Sequence, residues 1–217
     1  MSKPIWYIYG CGGLGLETMD ILDDNIKHSI TIDHDCIFVV DGVVEGAVNG
    51  YQVIDFKDTI EGSKITIAVG EPTPRKALLD KVIEKKLVLS SIISPHAFVS
   101  CCAVIERGVI VAPFVSIQAF AYVGENAAIN TQAIIGHHVR VLAGCVISSQ
   151  VNLGGYCVVG KLTYVGMGAL ILEKVSIGSE TIVGMGSVVY KDIPDGVIAL
   201  GSPARVARKN EEKRIFK

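Results

Sequence analysis

From Val99 to Val189 an aliphatic residue recurs at every sixth position, through Ile105, Val111, Ile117, Val123, Ile129, Ile135, Val141, Ile147, Leu153, Val159, Val165, Ile171, Ile177 and Val183. Two residues before each lies a small or slim side chain, from Ala97 and Ala103 through Cys145, Cys157 and Thr163 to Ser187. A period of six fits neither the 3.6-residue repeat of an amphipathic helix nor a meander with irregular turns. It predicts short strands separated by corners, with two inward positions two residues apart in each unit. Glycine often follows the aliphatic, as at Gly124, Gly136, Gly154 and Gly160, which marks that position as the turning point because glycine tolerates unusual backbone angles. Three units make one triangular coil of 18 residues, and coils stack at the strand spacing of about 4.8 Å. The phase never breaks, so no long loop leaves the prism.

Before the prism the pattern changes. An apolar run from Ile5 to Tyr9 meets the turn Gly10-Cys11-Gly12-Gly13-Leu14-Gly15, and Leu14, Met19, Ile21 and Leu22 then follow at helical spacing. A second strand is predicted from Cys36 to Val40 and a third from Ile65 to Val69, followed by an amphipathic helix from about Pro74 to Lys86. That order implies a small parallel, Rossmann-like sheet. Residues 1–90 read as an α/β domain and residues 91–217 as the β-helix with its C-terminal tail, Ser94-Pro95 ending the apolar stretch that joins them.

Composition narrows the possible partners. With 20 Lys+Arg against 22 Asp+Glu the chain has no basic field to hold a nucleic acid. No apolar run approaches the roughly 20 residues of a spanning helix, and the first residues lack a secretory pattern, which predicts a cytoplasmic protein without a membrane span. The six cysteines form no CxxC pair, so reduced thiols and no metal site are expected, with Cys145 and Cys157 in core positions.

Three places carry candidate chemistry. Gly10-x-Gly12-x-x-Gly15 after a strand matches the dinucleotide fingerprint, in which backbone N–H groups approach a pyrophosphate at a helix N-terminus. Asp41, closing the second strand, stands where an acidic residue binds a ribose hydroxyl. The competing reading of the glycines is a tight turn with close helix–strand packing and no ligand. About ninety residues leave no room for a second nucleotide half, which disfavours hydride chemistry. In the prism, His137 falls at a corner, and an imidazole suits proton removal from an amine or hydroxyl attacking a thioester. Gly155 lies one coil further on, where its N–H can meet the developing oxyanion.

The glycine-rich start Tyr9 to Glu17, the stretch Asn130-Thr131-x-Ala133-x-x-x-His137, the hexapeptides and the ending Gly201 to Lys209 together resemble the hexapeptide-repeat sugar acetyltransferases. These include sialic acid O-acetyltransferases and nucleotide-linked amino-sugar N-acetyltransferases. The resemblance implies a left-handed parallel β-helix, a homotrimer, and acetyl-CoA bound between neighbouring prisms. It implies His137 as the base, Gly155 as the oxyanion donor, and Gly12, Gly13, Leu14 and Asp41 as nucleotide-binding residues. Main chain at Met167 and Met185 would meet the pantetheine arm, and Arg205 and Lys209 the phosphates of CoA; a solvated, frayed terminus is the alternative for this tail. Two residues depart from the family: His138 stands where a carboxylate usually follows the histidine, and Val146 replaces a second histidine. The implied function is acetyl-CoA-dependent N-acetylation of a nucleotide-linked amino-sugar in surface-glycan synthesis. The alternatives are O-acetylation of sialic acid or another sugar, and a non-catalytic homologue that binds nucleotide-sugar.

Overall fold

The computed structural model describes residues 3–30, 33–42 and 46–215. The N-terminal part is built on strands β1 (Ile5–Tyr9), β2 (Asp35–Val40), β3 (Ala47–Val48), β4 (Tyr51–Asp55), β5 (Lys64–Ile67) and β6 (Val88–Leu89), with helices α1 (Gly13–Lys27) and α2 (Pro72–Glu84). The sheet order is β3-β4-β2-β1-β5-β6, and all pairings except β3 with β4 are parallel. Sequence periodicity had placed three of these strands. It missed the hairpin β3–β4 and the edge strand β6, and it set α2 two residues late at each end.

Alternation along β1 sorts its side chains onto two faces. Trp6 and Ile8 join Met19 and Leu22 of α1 in a core continuous with the prism, whereas Tyr7 and Tyr9 pack with Leu79 and Val82 of α2. Helix α1 is therefore held between the sheet and the prism, where Asn25 Nδ2 donates to the Ile93 carbonyl.

From Ile92 onward the chain winds into two-residue strands, each paired in parallel with the strand 18 residues later, as Ile117 with Ile135 and Ile147 with Val165. Three sheets form the sides of the prism. The aliphatic ladder is buried from Val111 to Val189 and half-buried at Val99 and Ile105, where the column opens. Ile92–Ile93 already belongs to the first coil, since it pairs with Ile110–Val111. The slim inward series explains its own polar members: Cys145 Sγ, Cys157 Sγ and Thr163 Oγ1 donate to the carbonyls of Gly160, Leu172 and Gly178 at 2.9, 3.0 and 2.6 Å. Burial pushes the Cys145 thiol up to about 12, so it is a packed, inert group.

The corners differ from the sequence reading. Positive φ falls three residues after the aliphatic, at Phe114, Phe120, Gln132, His138, Tyr156 and Lys174, which is the third position of each corner turn. The glycine directly after the aliphatic has no positive φ and is required for another reason. A Cβ on Gly136 would come within 2.6 Å of the Leu153 carbonyl, and one on Gly166 within 2.6 Å of the Met185 nitrogen. These glycines let one coil lie against the next.

Fully buried Ile147 measures what the ladder contributes. Ile147→Ala is expected to cost about 2–5 kcal/mol through lost burial and a residual cavity. Ser176→Ala, on an exposed outer face, is expected to stay within about 0.5 kcal/mol. Urea unfolding midpoints of the two variants check the contrast.

Beyond the last coil, Val197–Gly201 adds in parallel to the strand at Ile182–Val183 and pairs antiparallel with Ala204–Lys209. The tail to residue 209 is thus an ordered edge hairpin and not a frayed terminus. It leads to contacts with the N-terminal part: Thr73 Oγ1 donates to the Lys213 carbonyl.

Candidate active site

The glycine turn closes β1 and starts α1 with Gly12 as N-cap, unassisted by any side-chain capping bond. Gly10 has φ +110°, and a Cβ there would come within 2.9 Å of the Ala68 carbonyl; a Cβ on Gly15 would run into Gly10. Those two glycines serve tight packing. A Cβ on Gly12 or Gly13 would meet nothing within 4 Å, so at these two positions the backbone faces open space. The first amide N–H groups of a helix have no intrahelical acceptor, and the positive end of the α1 dipole lies at this turn.

The space is a groove of about 610 Å³ lined by Gly13, Leu14, Glu17 and Gly70 on one side and by Asn130, Ser148, Tyr164, Met167 and Met185 on the prism. The structure therefore brings Gly13 and Leu14 to the same cleft as Met167 and Met185. Ser148 and Tyr164 were not singled out by sequence, and Glu17 and Asn130 stood only as motif members with no site role, because only the docking of α1 on the prism places the four opposite the turn. Val146 forms part of the groove floor.

A buried arginine fixes the wall at Gly70. Arg75 Nη1 donates to the carbonyls of Ile67 and Val69 at 2.6 and 3.0 Å, and its Nε and Nη2 donate to the Asn126 carbonyl on a prism corner at 3.0 and 2.8 Å. Asn126 Nδ2 returns a bond to the Arg75 carbonyl. Burial pulls the guanidinium down to about 9, still a cation near neutrality. The end of β5, beside the glycine turn, is thereby tied to the prism.

Asp41 does not line this groove. Its carboxylate accepts from Tyr9 Oη at 2.7 Å and from Lys81 Nζ at 2.8 Å on the α2 side of the sheet. Burial alone would raise this carboxyl, but the bonds from Lys81 and Tyr9 hold it below its ordinary value. Arg205 and Lys209 lie exposed on the terminal strand, and neither lines the groove.

His137 and Gly155 meet at the next corner of the prism, across one sheet from Met167 and Met185. Equivalent corner positions recur every 18 residues, so the exposed His137 ring lies over Gly155. A Cβ on Gly155 would fall 2.5 Å from Cε1, 2.7 Å from Nε2 and 3.1 Å from Nδ1 of that ring. The residue is glycine because the imidazole edge occupies its side-chain space. Among the described residues the Gly155 N–H has no hydrogen-bond acceptor, and Tyr156 N donates to the His137 carbonyl at 3.0 Å. The His137 ring meets Tyr156 edge-on at 5.1 Å. Its Nδ1 lies 3.3 Å from Nδ1 of His138. Among the described residues no group of three or more His, Cys, Asp or Glu is placed to hold a metal ion, and no helix is long and apolar enough to cross a membrane.

The stacked-coil column gives the fold and the comparisons the activity: the chain is a left-handed β-helix acyltransferase, homologous to sugar acetyltransferases of the hexapeptide-repeat type. It is 26% identical over 215 residues to GDP-perosamine N-acetyltransferase of Escherichia coli O157:H7, covering 95% of this chain and 97% of that protein. PerB from Caulobacter crescentus, solved in complex with CoA and GDP-perosamine, matches with a TM-score of 0.81 and 28% identity over 93% of this chain and 96% of that one. The acetyltransferase domain of PglB from Neisseria gonorrhoeae FA1090, in complex with acetyl coenzyme A, matches with a TM-score of 0.86 and 27% identity over 94% and 100%. No family model matches the chain.

Proposed function

We propose that this chain transfers the acetyl group of acetyl-CoA to the amine of a nucleotide-linked amino-sugar in surface-glycan synthesis. The observation that carries the reading is the groove joining Gly13 and Leu14, next to the open position of Gly12, to the corner of Met167 and Met185. One end suits a diphosphate at a helix N-terminus. The other presents prism backbone to an extended thiol arm. The similarity to proteins solved with a GDP-sugar and with CoA or acetyl-CoA supports both assignments.

In the proposed step the neutral amine attacks the thioester carbonyl, His137 Nε2 takes a proton from the attacking nitrogen, and the Gly155 N–H donates to the oxyanion. Collapse breaks the C–S bond, and the imidazolium returns the proton to the leaving CoA thiolate. Gly12, Gly13, Leu14 and Asp41 are proposed to hold the nucleotide. For Asp41 this requires Lys81 or Tyr9 to share its oxygens. Arg205 and Lys209 are proposed to meet the CoA phosphates from the terminal hairpin.

His137 and the groove stand on different corners of one prism, so the proposed reaction centre forms between chains, with the imidazole of one copy facing the groove of the next. The sheet between the two corners exposes Phe98 and Leu170 outward, flanked by exposed Phe120, Leu172 and Tyr190, an unpartnered apolar side that suits association into a homotrimer. The cytoplasm is the proposed compartment, in keeping with the exposed free thiols of Cys101 and Cys102.

The test is release of CoA thiol in the presence of acetyl-CoA and a panel of GDP-, UDP- and dTDP-linked amino-sugars. Turnover is expected with at least one nucleotide-linked amine and not with the corresponding free sugar. Acetylation of free sialic acid or another free sugar, or nucleotide binding with no thiol release for any acceptor, would refute the assignment.

A further inference from the structure

His138 takes the left-handed position of its corner, with φ 60°. The same position one coil earlier is Phe120 and one coil later is Tyr156, and the imidazole is held between them. Its ring lies 4.6 Å from Tyr156 at 16° and 5.0 Å from Phe120 at 34°. The His138 plane is thus set by a three-ring stack, and that setting places its Nδ1 beside Nδ1 of His137. Among the described residues no carboxylate is bonded to His137, and His138 is the ring's one hydrogen-bond partner.

We infer that His138 is the positioning residue for His137: its unprotonated Nδ1 accepts the His137 Nδ1–H, which leaves His137 Nε2 unprotonated and fixes the ring edge over Gly155. The inference rests on the reading of His137 as the base. Of the two tautomer arrangements that share one proton between the Nδ1 atoms, only this one leaves a lone pair on Nε2. An imidazole acceptor orients as a carboxylate does, but it is uncharged and does not stabilise the imidazolium by opposite charge. Around the stack, the phenol of Tyr156 packs directly on His138. Lys174, further along the column, is paired with Glu173 at 3.5 Å, and Arg140 lies over the Tyr122 ring at 4.9 Å. Cys102 occupies the equivalent corner position beyond Phe120.

Three variants separate acceptor from stack. His138→Phe keeps an aromatic ring in the column, and Phe114 and Phe120 show that phenylalanine adopts this backbone conformation in this chain. It lacks the acceptor, so kcat is expected to fall by about 10- to 100-fold, with KM for both substrates within about twofold and an unchanged melting temperature. His138→Asn retains an acceptor near the ring position and tolerates the left-handed conformation, so its kcat is expected to stay within about fivefold of the parent. His138→Asp is expected to move the acid limb of kcat/KM to higher pH, because an anion beside His137 favours its protonated form. Wild-type kcat in His138→Phe, an equal loss in His138→Phe and His138→Asn, or an unmoved acid limb in His138→Asp would each overturn the inference. His137→Ala in parallel keeps the two ideas apart. If it is inactive while His138→Phe is normal, only the positioning role fails, whereas full activity in His137→Ala removes the base itself.

Discussion

His137→Ala is expected to lower kcat for acetyl transfer by about 10²- to 10⁴-fold, the usual contribution of a positioned general base, with little change in KM for acetyl-CoA or acceptor. The ring is exposed and bonded only to its neighbour His138 among the described residues, so its removal leaves no buried group unsatisfied. The melting temperature should be unchanged. Residual activity is expected because the Gly155 N–H and the binding groove remain, and proximity with an oxyanion donor already lowers an acyl-transfer barrier. The measurement is steady-state thiol release at saturating substrates, with binding of nucleotide-sugar by calorimetry as the control. A kcat within threefold of the parent would remove His137 from the chemistry. A lost binding isotherm would instead mean that the ring holds substrate.

How much of this was legible in the sequence depended on whether geometry follows from chain position alone. A stacked coil of fixed length turns sequence distance into spatial distance, so residues 18 apart are neighbours without any further fact. The pairing of His137 with Gly155, the aliphatic ladder and the buried Cys145 were readable for that reason. The corner glycines were misread because composition does not distinguish a residue needing positive φ from one lacking room for a Cβ. Gly136 is of the second kind, while His138 and Tyr156 bear the left-handed angle.

In the N-terminal part the same limit applied more severely. Strand β3 has two residues, and β4 buries only Val53, so neither presents a run of apolar positions. Asp41 lay where a ribose contact is expected, yet its hydrogen bonds to Tyr9 and Lys81 depend on which face of the sheet receives the side chain. The groove itself was out of reach of sequence. It exists because α1 lies on the prism sheet and because Arg75, which no pattern singled out, joins β5 to Asn126.

Gly155→Ala is expected to reduce kcat by about 100-fold, the cost of an ångström-scale misplacement of a reacting group, while leaving the fold intact. The residue has no positive φ, so alanine is free of backbone strain there, and the atoms its Cβ would strike belong to the exposed ring of His137. That ring can swing aside. In doing so it leaves both its place over residue 155 and its contact with His138 Nδ1, whereas the residue 155 N–H is retained, so any loss of rate reports the ring's position and not the oxyanion donor. Gly160→Ala gives the opposite signature. Its Cβ would fall 2.5 Å from the Gly178 carbonyl carbon, backbone that cannot rotate away, and the coils must separate. The urea midpoint is expected to drop for Gly160→Ala and to hold for Gly155→Ala, with kcat per folded molecule showing the reverse order. Equal stability losses in the two variants would mean that position 155 is a packing glycine like its neighbours along the column, and that the imidazole does not rest where the reaction needs it.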